Sequence, residues 1–332
     1  MSNYVTLDDL TVAFNGVTVL HAVNLAIGRG ETLGLVGESG SGKSVTWLAA
    51  LGLLPATAKV TGRATLDGQN LVGMAPSALR RIRGGRIAMI FQDPASALNP
   101  MLTIGSQIGE ALLLHRGMTG RSAKTEARRL LDLVGIPDAG RRLSSYPHEL
   151  SGGQNQRVMI AMALAGQPDL LIADEPTTAL DVTIQAQILD LLALVQRESG
   201  TGLVLISHDL GVVAQTCDRV AVMYAGRIVE EASARQLFDS PAHPYSRGLI
   251  DSLPRLDGPR RRLVSIAGQV PDPRALPPGC SFAPRCSRAI AACATSVPTL
   301  SGMGGGRNLA CFNAVHLDRA DQDGALMEPV LS

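Results

Sequence analysis

Residues 37–44 have the residue types and spacing of a loop that binds phosphate, because they fit the pattern G-x-x-x-x-G-K-[ST] at every fixed position. Glycines in such a loop let backbone N–H groups turn toward a phosphate, and the start of the following helix adds unpaired N–H groups. Lys43 can reach the β- and γ-phosphates of a nucleotide, and the Ser44 hydroxyl can ligate Mg²⁺. We therefore predict a nucleotide site formed by Gly37, Ser39, Gly40, Ser41, Gly42, Lys43, Ser44 and Val45.

Two adjacent carboxylates, Asp174 and Glu175, follow an apolar run at residues 170–173. The run predicts a buried strand, and ligands bind at the carboxyl ends of parallel strands. Asp174 would then hold Mg²⁺, directly or through water, and Glu175 would orient or polarise the attacking water. Taken alone, the pair fits an acidic surface turn equally well. With a phosphate loop in the same chain, we interpret it as part of a site that hydrolyses a nucleotide.

A second glycine-rich segment precedes a predicted helix and consists of Leu150, Ser151, Gly152, Gly153 and Gln154. By itself it is a flexible turn, or a second helix start that can bind an anionic oxygen. With this segment ending 20 residues before Asp174, the sequence resembles the ATP-binding subunits of ABC transporters. In that family the L-S-G-G-Q signature faces the γ-phosphate held by the partner subunit. The resemblance therefore implies ATP sites that are shared between two subunits.

Further residues match this family in order and spacing, over about residues 5–325. Phe14, which lies 23 residues before Gly37, matches the aromatic residue that stacks on adenine. Gln92 matches the glutamine that contacts the metal site and senses the membrane subunits. Residues 179–181, which end at Asp181, match the loop that crosses the dimer interface. His208 matches the switch histidine that contacts the γ-phosphate.

The resemblance thus implies a complete ATPase site with ATP and Mg²⁺. Its catalytic residues would be Glu175, His208 and Gln92, and its Mg²⁺ contacts would be Ser44, Gln92 and Asp174. Because every one of these positions carries the expected residue type, we expect a site competent for hydrolysis.

Within the family the chain resembles the branch for oligopeptide and dipeptide uptake, which also includes nickel importers. Residues 91–100, 243–249 and 277–286 carry this likeness. It implies a second ATPase subunit, expected to be a paralogue, two integral-membrane permeases and an extracytoplasmic solute-binding protein. The chain would then lie peripherally on the cytoplasmic face of the cell membrane. Two alternatives stay open, namely the same motor serving nickel or another small solute, and a soluble ABC ATPase outside transport.

The order of apolar segments predicts an α/β fold. Residues 1–30 alternate apolar and polar side chains around Asn15 and Gly16, which indicates antiparallel strands. Apolar strands at 32–36, 87–91, 170–173 and 203–207 are separated by predicted helices, which favours a parallel sheet covered on both faces. The resemblance implies a P-loop NTPase with a mixed core sheet, an antiparallel β subdomain and a helical subdomain. We place the ATPase domain at 1–240, its helical subdomain at about 95–160, and a C-terminal extension at 241–332.

Composition limits the other possibilities. The 30 Lys and Arg nearly balance the 29 Asp and Glu, so the net charge of +1 argues against a nucleic-acid binder. No apolar stretch reaches the 18 or more residues of a spanning helix. The N-terminus has no basic region followed by an apolar run, so we expect no signal peptide. Any work at a membrane would therefore proceed by docking onto other subunits.

Four of the five cysteines lie near the C-terminus, with the spacing C-x5-C-x6-C-x17-C. They are Cys280, Cys286, Cys293 and Cys311. The spacing lacks the tight C-x2-C pair of common zinc sites, whereas irregular sets of four cysteines suit iron–sulfur clusters. Relatives in the peptide-uptake branch with such a tail are similar to proteins that carry a [4Fe–4S] cluster there. We expect such a cluster, with zinc and four unligated thiols as the alternatives, and we expect Cys217 to lie in the core on a helix.

Overall fold

A computed structural model describes residues 3–177, 181–253 and 265–315 of the chain. The strands are β1 (Asn3–Phe14), β2 (Val17–Gly28), β3 (Thr32–Val36), β4 (Ala58–Leu66), β5 (Gln69–Asn70), β6 (Ile87–Ile90), β7 (Leu170–Asp174), β8 (Gly202–Ile206), β9 (Arg219–Tyr224), β10 (Arg227–Ser233), β11 (Ser301–Gly304) and β12 (Arg307–Leu309). The helices are α1 (Lys43–Ala50), α2 (Pro76–Ile82), α3 (Pro94–Ala97), α4 (Ile104–Arg116), α5 (Gly120–Leu133), α6 (Ala139–Arg142), α7 (Gly152–Ala165), α8 (Val182–Ser199), α9 (Leu210–Thr216), α10 (Ala234–Asp239), α11 (Pro244–Asp251) and α12 (Ala291–Thr295).

The central sheet has the strand order β11-β12-β10-β9-β3-β8-β7-β6. Strands β3, β6, β7, β8 and β9 run parallel, and β10, β11 and β12 add an antiparallel edge. Successive residues of its parallel strands enter two different hydrophobic cores: on β8, Leu203 and Leu205 face one core while Val204 and Ile206 face the other. Because both faces are covered, these strands are mostly apolar, and their charged residues, Asp174 and Arg219, stand at strand ends.

The N-terminal hairpin belongs to a separate antiparallel sheet with the order β2-β1-β4-β5. It packs over one face of the central sheet, and the fully buried Trp47 of α1 lies in the core between them. Helices α4, α5 and α7 contact each other and share the second core with the opposite face of the central sheet. The predicted mixed sheet, antiparallel subdomain and helical subdomain are therefore confirmed.

The structure corrects several boundaries. Within the helical subdomain predicted at about 95–160, α4 and α5 are separate helices, because Gly117 ends α4 in a left-handed conformation with φ of 65°. The strand predicted at 87–91 ends at Ile90, and Phe91 is exposed. Cys217 is buried as predicted, but it caps α9 and does not lie within it.

The described part of the C-terminal region continues the same fold. Strand β12 pairs with β10, and Tyr245 of α11 and Phe282 belong to the core that α4, α5 and α7 also share. The division of the chain at residues 240 and 241 stays a prediction about sequence regions, since the two regions share one core. Among the described residues, no helix has the length and hydropathy that a membrane span requires.

Candidate nucleotide site

The glycine-rich loop lies between the end of β3 and the start of α1, as predicted. Gly37 has φ of 151°, and a Cβ atom there would lie 2.1 Å from the carbonyl oxygen of Met223. Gly42 caps α1 with φ of 104°, and a Cβ atom would lie 2.5 Å from Leu20. Only glycine fits at both positions, because the backbone conformation and the space each exclude a side chain. Gly40 also has a positive φ, and Ser39 and Gly40 are exposed, while Ser41 is fully buried.

Lys43 is buried within the loop that it would serve. Its Nζ donates hydrogen bonds to the carbonyl oxygens of Gly37 at 2.8 Å and Glu38 at 3.1 Å. Burial lowers the pKa of Lys43, and the nearby charges of Glu175, Asp174 and Glu38 oppose that shift. The ammonium group therefore lies in a partly desolvated, acidic environment, where an incoming phosphate would compete for it.

Ser44 and Asp174 meet across 130 residues of sequence. The Ser44 hydroxyl donates to Asp174 Oδ1 at 2.8 Å, at the carboxyl end of β7 beside the loop. Burial raises the pKa of Asp174, the Ser44 hydrogen bond opposes this, and Glu175 adds to it. A hydroxyl and a carboxylate at hydrogen-bond distance form an all-oxygen donor set, which suits Mg²⁺. The predicted Mg²⁺ residues Ser44 and Asp174 therefore fit that ion.

Glu175 lies immediately after β7 in a left-handed backbone conformation, with φ of 47°. Its Oε2 accepts a hydrogen bond from Gln92 Nε2 at 3.0 Å and lies 3.5 Å from His208 Nδ1. Its backbone N–H donates to Ile206 at 3.0 Å, which fixes it at the end of β8. A non-glycine residue in this conformation is strained, and such strain concentrates at functional sites. The three residues predicted to be catalytic thus form one cluster.

Two further residues predicted to bind the nucleotide are Phe14 and Val45. Val45 continues α1, and Phe14 ends β1 opposite Val17. Both are partly buried against the core that also contains Leu20, the neighbour of Gly42. Their contact with a nucleotide stays a prediction.

The signature segment is built as a helix start in the helical layer. Leu150 precedes α7, Ser151 is its N-cap, and Ser151 and Gln154 form a reciprocal capping box. Gly152 and Ser151 are exposed, and a Cβ atom on Gly153 would lie 3.1 Å from Ile184. The segment therefore presents a helix N-terminus at the surface, outside the cluster around Lys43. Its role toward a second subunit stays a prediction.

The predicted interface loop is described only at its last residue. Asp181 caps α8 by accepting a hydrogen bond from Ile184 N–H at 2.9 Å. The preceding residues of the motif, Ala179 and Leu180, lie outside the described residues, as does the arginine run at 260–262.

The four C-terminal cysteines, Cys280, Cys286, Cys293 and Cys311, line one small cavity. Its volume is about 10 Å³, the room of roughly one water molecule. Burial raises the pKa of Cys280, Cys286 and Cys311, which favours the thiol over the thiolate. Within residues 3–177, 181–253 and 265–315, no three His, Cys, Asp or Glu side chains are placed to hold a metal ion. The donor types suit the predicted [4Fe–4S] cluster, but the room between them does not.

Three residues at the loop, Glu38 within it and Tyr245 and Arg285 beside it, were not predicted from the sequence. The Glu38 backbone N–H donates to the Tyr245 hydroxyl at 2.8 Å. Its carboxylate accepts from both terminal nitrogens of Arg285, at 2.8 and 3.1 Å. Tyr245 and Arg285 lie within the segments that carry the peptide-uptake resemblance, which was the signal available. Nothing in the local pattern links them to residue 38.

Comparisons with known proteins agree with this geometry. The family model "ABC transporter" matches residues 20–178, and the model "Oligopeptide/dipeptide transporter, C-terminal region" matches residues 229–293. The chain is 49% identical to the oligopeptide transport ATP-binding protein OppD of Salmonella typhimurium over 313 residues, 93% of each chain. It is 51% identical to the dipeptide transport ATP-binding protein DppD of Bacillus subtilis over 299 residues, 88% of this chain and 89% of that protein.

A solved structure shows the same fold in a nucleotide-bound state. The ATP-binding cassette MJ0796, in a dimeric post-hydrolysis state bound to ADP and Pi, superposes with a TM-score of 0.63 and 32% sequence identity. The match covers 70% of this chain and 99% of MJ0796. Together with the two ABC-type sequence matches and the assembled loop, carboxylates and signature helix, these likenesses show that the chain belongs to the ATP-binding subunits of ABC transporters, in the oligopeptide/dipeptide transporter family.

Proposed function

We propose that this chain binds and hydrolyses ATP as the motor subunit of an ABC importer for peptides. The observation that carries the proposal is the cluster in which Lys43, the Ser44–Asp174 pair and Glu175 meet at the ends of β3 and β7. Peptides are the proposed cargo because the similar proteins OppD and DppD are named for oligopeptide and dipeptide transport.

In this proposal the loop and Lys43 hold the phosphates. The ammonium group exchanges its two carbonyl partners, on Gly37 and Glu38, for phosphate oxygens. Ser44, Asp174 and Gln92 would hold Mg²⁺, and the bound ion would neutralise the charge of the phosphates. Phe14 stacks on the adenine ring, and Val45 contributes to nucleotide binding from the first turn of α1.

Glu175 then orients the water that attacks the γ-phosphate. Gln92 Nε2 and His208 Nδ1 both approach its Oε2, at 3.0 and 3.5 Å, and fix the direction of the carboxylate. General acid–base groups contribute about 10²–10⁴-fold to a rate, so Glu175→Gln should lower ATP turnover of the assembled transporter at least about 100-fold. The matched control is Glu198→Gln, because Glu198 is an exposed glutamate at the far end of α8. Normal turnover by Glu175→Gln would refute this assignment.

The second half of each site would come from a neighbouring ATPase subunit, which we propose is a paralogue. Ser151, Gly152 and Gly153 of one chain would face the γ-phosphate held by Lys43 of the other, with Asp181 near the interface. The exposed helix start of α7 supports this, since the capping box uses the N–H groups of Ser151 and Gln154 and not those of Gly152 and Gly153. A complex containing this chain, a second ATPase and two polytopic permeases should co-purify from membranes, and an isolated monomer that completes the ATP cycle would contradict the arrangement.

Importer subunits of this family attach peripherally to the membrane, and we propose the cytoplasmic face, where the permeases would contact the helical subdomain at about 95–160. An extracytoplasmic binding protein would deliver the peptide. Transport of labelled dipeptides into vesicles that contain the complex tests the cargo. Uptake of Ni²⁺ but not of peptides would assign the motor to the other solute of its branch.

A [4Fe–4S] cluster in the C-terminal extension is the remaining proposal, and the convergence of Cys280, Cys286, Cys293 and Cys311 on one cavity supports it. Binding would require the cavity walls to separate, because the room between the thiols is about one water molecule. The visible absorption spectrum and the iron and sulfide content of anaerobically purified chain test this. A colourless protein that retains ATPase activity and contains no iron or zinc would show that the four cysteines are unligated thiols.

A further inference from the structure

Glu38, the second residue of the phosphate loop, is held at three separate points. Its carbonyl oxygen accepts from Lys43 Nζ at 3.1 Å and from Ser41 N–H at 3.2 Å, within the loop itself. Its N–H and its carboxylate are bound from outside the loop, by Tyr245 and Arg285 respectively. Both outside partners belong to the C-terminal region, 207 and 247 residues further along the chain. The conformation of the first half of the loop therefore depends on that region.

The side chain of Arg285 is buried, and its position is fixed by several hydrogen bonds. Only 6% of the Arg285 side chain is exposed, and its guanidinium forms a bidentate ion pair with the Glu38 carboxylate. The rest of the guanidinium donates to the carbonyl oxygens of Ala267 at 2.9 Å and Ile266 at 3.3 Å, and to the Tyr224 hydroxyl at 3.3 Å. Because the donors of this planar guanidinium bond to several fixed acceptors, its orientation is fixed. The bidentate ion pair then fixes the orientation of the Glu38 carboxylate.

Tyr245 provides the second contact to Glu38 from outside the loop, and its ring lies in an aromatic cluster. Its ring is fully buried, with its centroid 4.7 Å from that of Tyr224 and 5.4 Å from that of Phe282. The hydroxyl is therefore presented to the Glu38 N–H from a fixed position. A loop that carries many glycines has little conformational preference of its own, so external contacts decide its shape.

We propose that Arg285 is a positioning residue of the ATP site, which acts through Glu38 to hold the phosphate loop in its binding shape. This proposal rests on the proposed ATPase function. In an NTPase site the loop contacts the phosphates in the ground state and in the transition state alike. Loss of the hold should then weaken nucleotide binding more than the chemical step, and a change of this kind appears in KM with kcat nearly unchanged.

The experiment compares full-length variants in the assembled transporter. Arg285→Gln should raise the KM for ATP about tenfold and change kcat by less than about threefold. Glu38→Gln should do the same from the other side of the pair. Both substitutions remove the same ion pair. The KM of the double variant Glu38→Gln/Arg285→Gln should therefore be no higher than that of the more affected single variant. Arg285→Lys, which keeps the charge but not the fork, should recover part of the affinity.

Arg307→Gln is the matched control for a general loosening of the tail. Arg307 is an arginine of the same region with 4% of its side chain exposed, and it donates to the carbonyl oxygen of Gln236. Its loss should lower the melting temperature and leave the KM for ATP within about twofold of wild type.

Several results would overturn the proposal. They are a KM for Arg285→Gln within about twofold of wild type, additive losses in the double variant, and an equal KM rise in Arg307→Gln. If Arg285→Gln does not fold, Glu38→Gln decides, because an unchanged KM in that variant refutes the hold. Failure of the ATPase function itself would appear separately, as a wild-type complex that does not hydrolyse ATP.

Discussion

Replacement of Gly37 by alanine tests whether the start of the phosphate loop depends on backbone contact with the neighbouring strand. At this position the chain leaves β3 with φ of 151°, and an added Cβ atom would lie 2.1 Å from the carbonyl oxygen of Met223. Real Cβ contacts essentially never come below 3.0 Å, so atoms must move. The clashing atom belongs to the backbone of β9, which pairs with β3 in the middle of the sheet. It therefore cannot move aside as a flexible side chain could.

Two terms set the size of the effect. Placing alanine in a conformation that L-residues avoid costs about 1–2 kcal/mol. Forcing a packed core to accommodate extra atoms costs about 1–3 kcal/mol more. The Gly37→Ala substitution should therefore reduce the free energy of unfolding by about 2–5 kcal/mol, which lies within the total stability of a typical protein. The variant should fold, with a displaced loop.

The assay is urea denaturation together with the rise in melting temperature on addition of Mg²⁺-ADP. Gly68→Ala is the matched control, because Gly68 has φ of 79° in an exposed turn with nothing within 4 Å of an added Cβ. It should show only the backbone strain of about 1–2 kcal/mol and the full nucleotide effect. Gly37→Ala should lose most of that effect, since ligand stabilisation depends on affinity. Equal destabilisation by the two substitutions would refute the argument from collision with Met223.

Three further predictions concern buried groups. Burial lowers the pKa of His243 to about 3, so the unfolded state binds a proton that the folded state does not, and stability should fall by about 1 kcal/mol per pH unit between pH 6 and pH 4. His243→Asn keeps the N-cap acceptor and should remove this slope in urea titrations. Burial raises the pKa of Cys217 to about 12, so iodoacetamide at pH 8 should label it, by mass spectrometry, only after unfolding. Trp47→Ala should cost about 3–5 kcal/mol, measured by circular dichroism, because the ring is fully buried between two sheets.

Each of these has a result that contradicts it. A stability difference between wild type and His243→Asn that does not change with pH would mean that the imidazole reaches solvent. Labelling of Cys217 at the rate of the less buried Cys311 in native protein would place that thiol at the surface. A loss below about 1 kcal/mol for Trp47→Ala would mean that the interface between the two sheets collapses onto the vacated space.

Much of the fold and site could be predicted because the relevant signals are local. Strand β3, the loop at 37–42 and α1 follow one another without interruption, so their order alone identifies the phosphate site. Asp174 is identified as a site residue because it is the first carboxylate after the apolar run at residues 170–173. That Asp174 and Ser44 would meet followed from the rule that parallel strands end at one edge of a sheet.

The remaining features depend on contacts between distant parts of the chain. Glu175 combines a left-handed conformation with a hydrogen bond from its N–H to the carbonyl oxygen of Ile206, and no sequence pattern signals either feature. The contact of Arg285 with Glu38 spans 247 residues, and neither residue type is unusual in its local setting. Likewise, the cysteine spacing predicts that the four side chains share a site, but it does not reveal that the room between them is only about 10 Å³.

The C-terminal region is joined to the ATPase fold by a buried charge as well as by apolar packing. Glu230 on β10 is fully buried, and its two carboxylate oxygens accept from the N–H groups of Ala242 and His243, each at 2.8 Å. A chain that ends at residue 240 would leave this carboxylate without those donors, which is among the costlier defects in a protein interior. It would also remove β12 from the edge of the central sheet and Tyr245 from the loop. The residues that follow position 240 therefore complete the ATPase core, and the phosphate loop takes part of its shape from them.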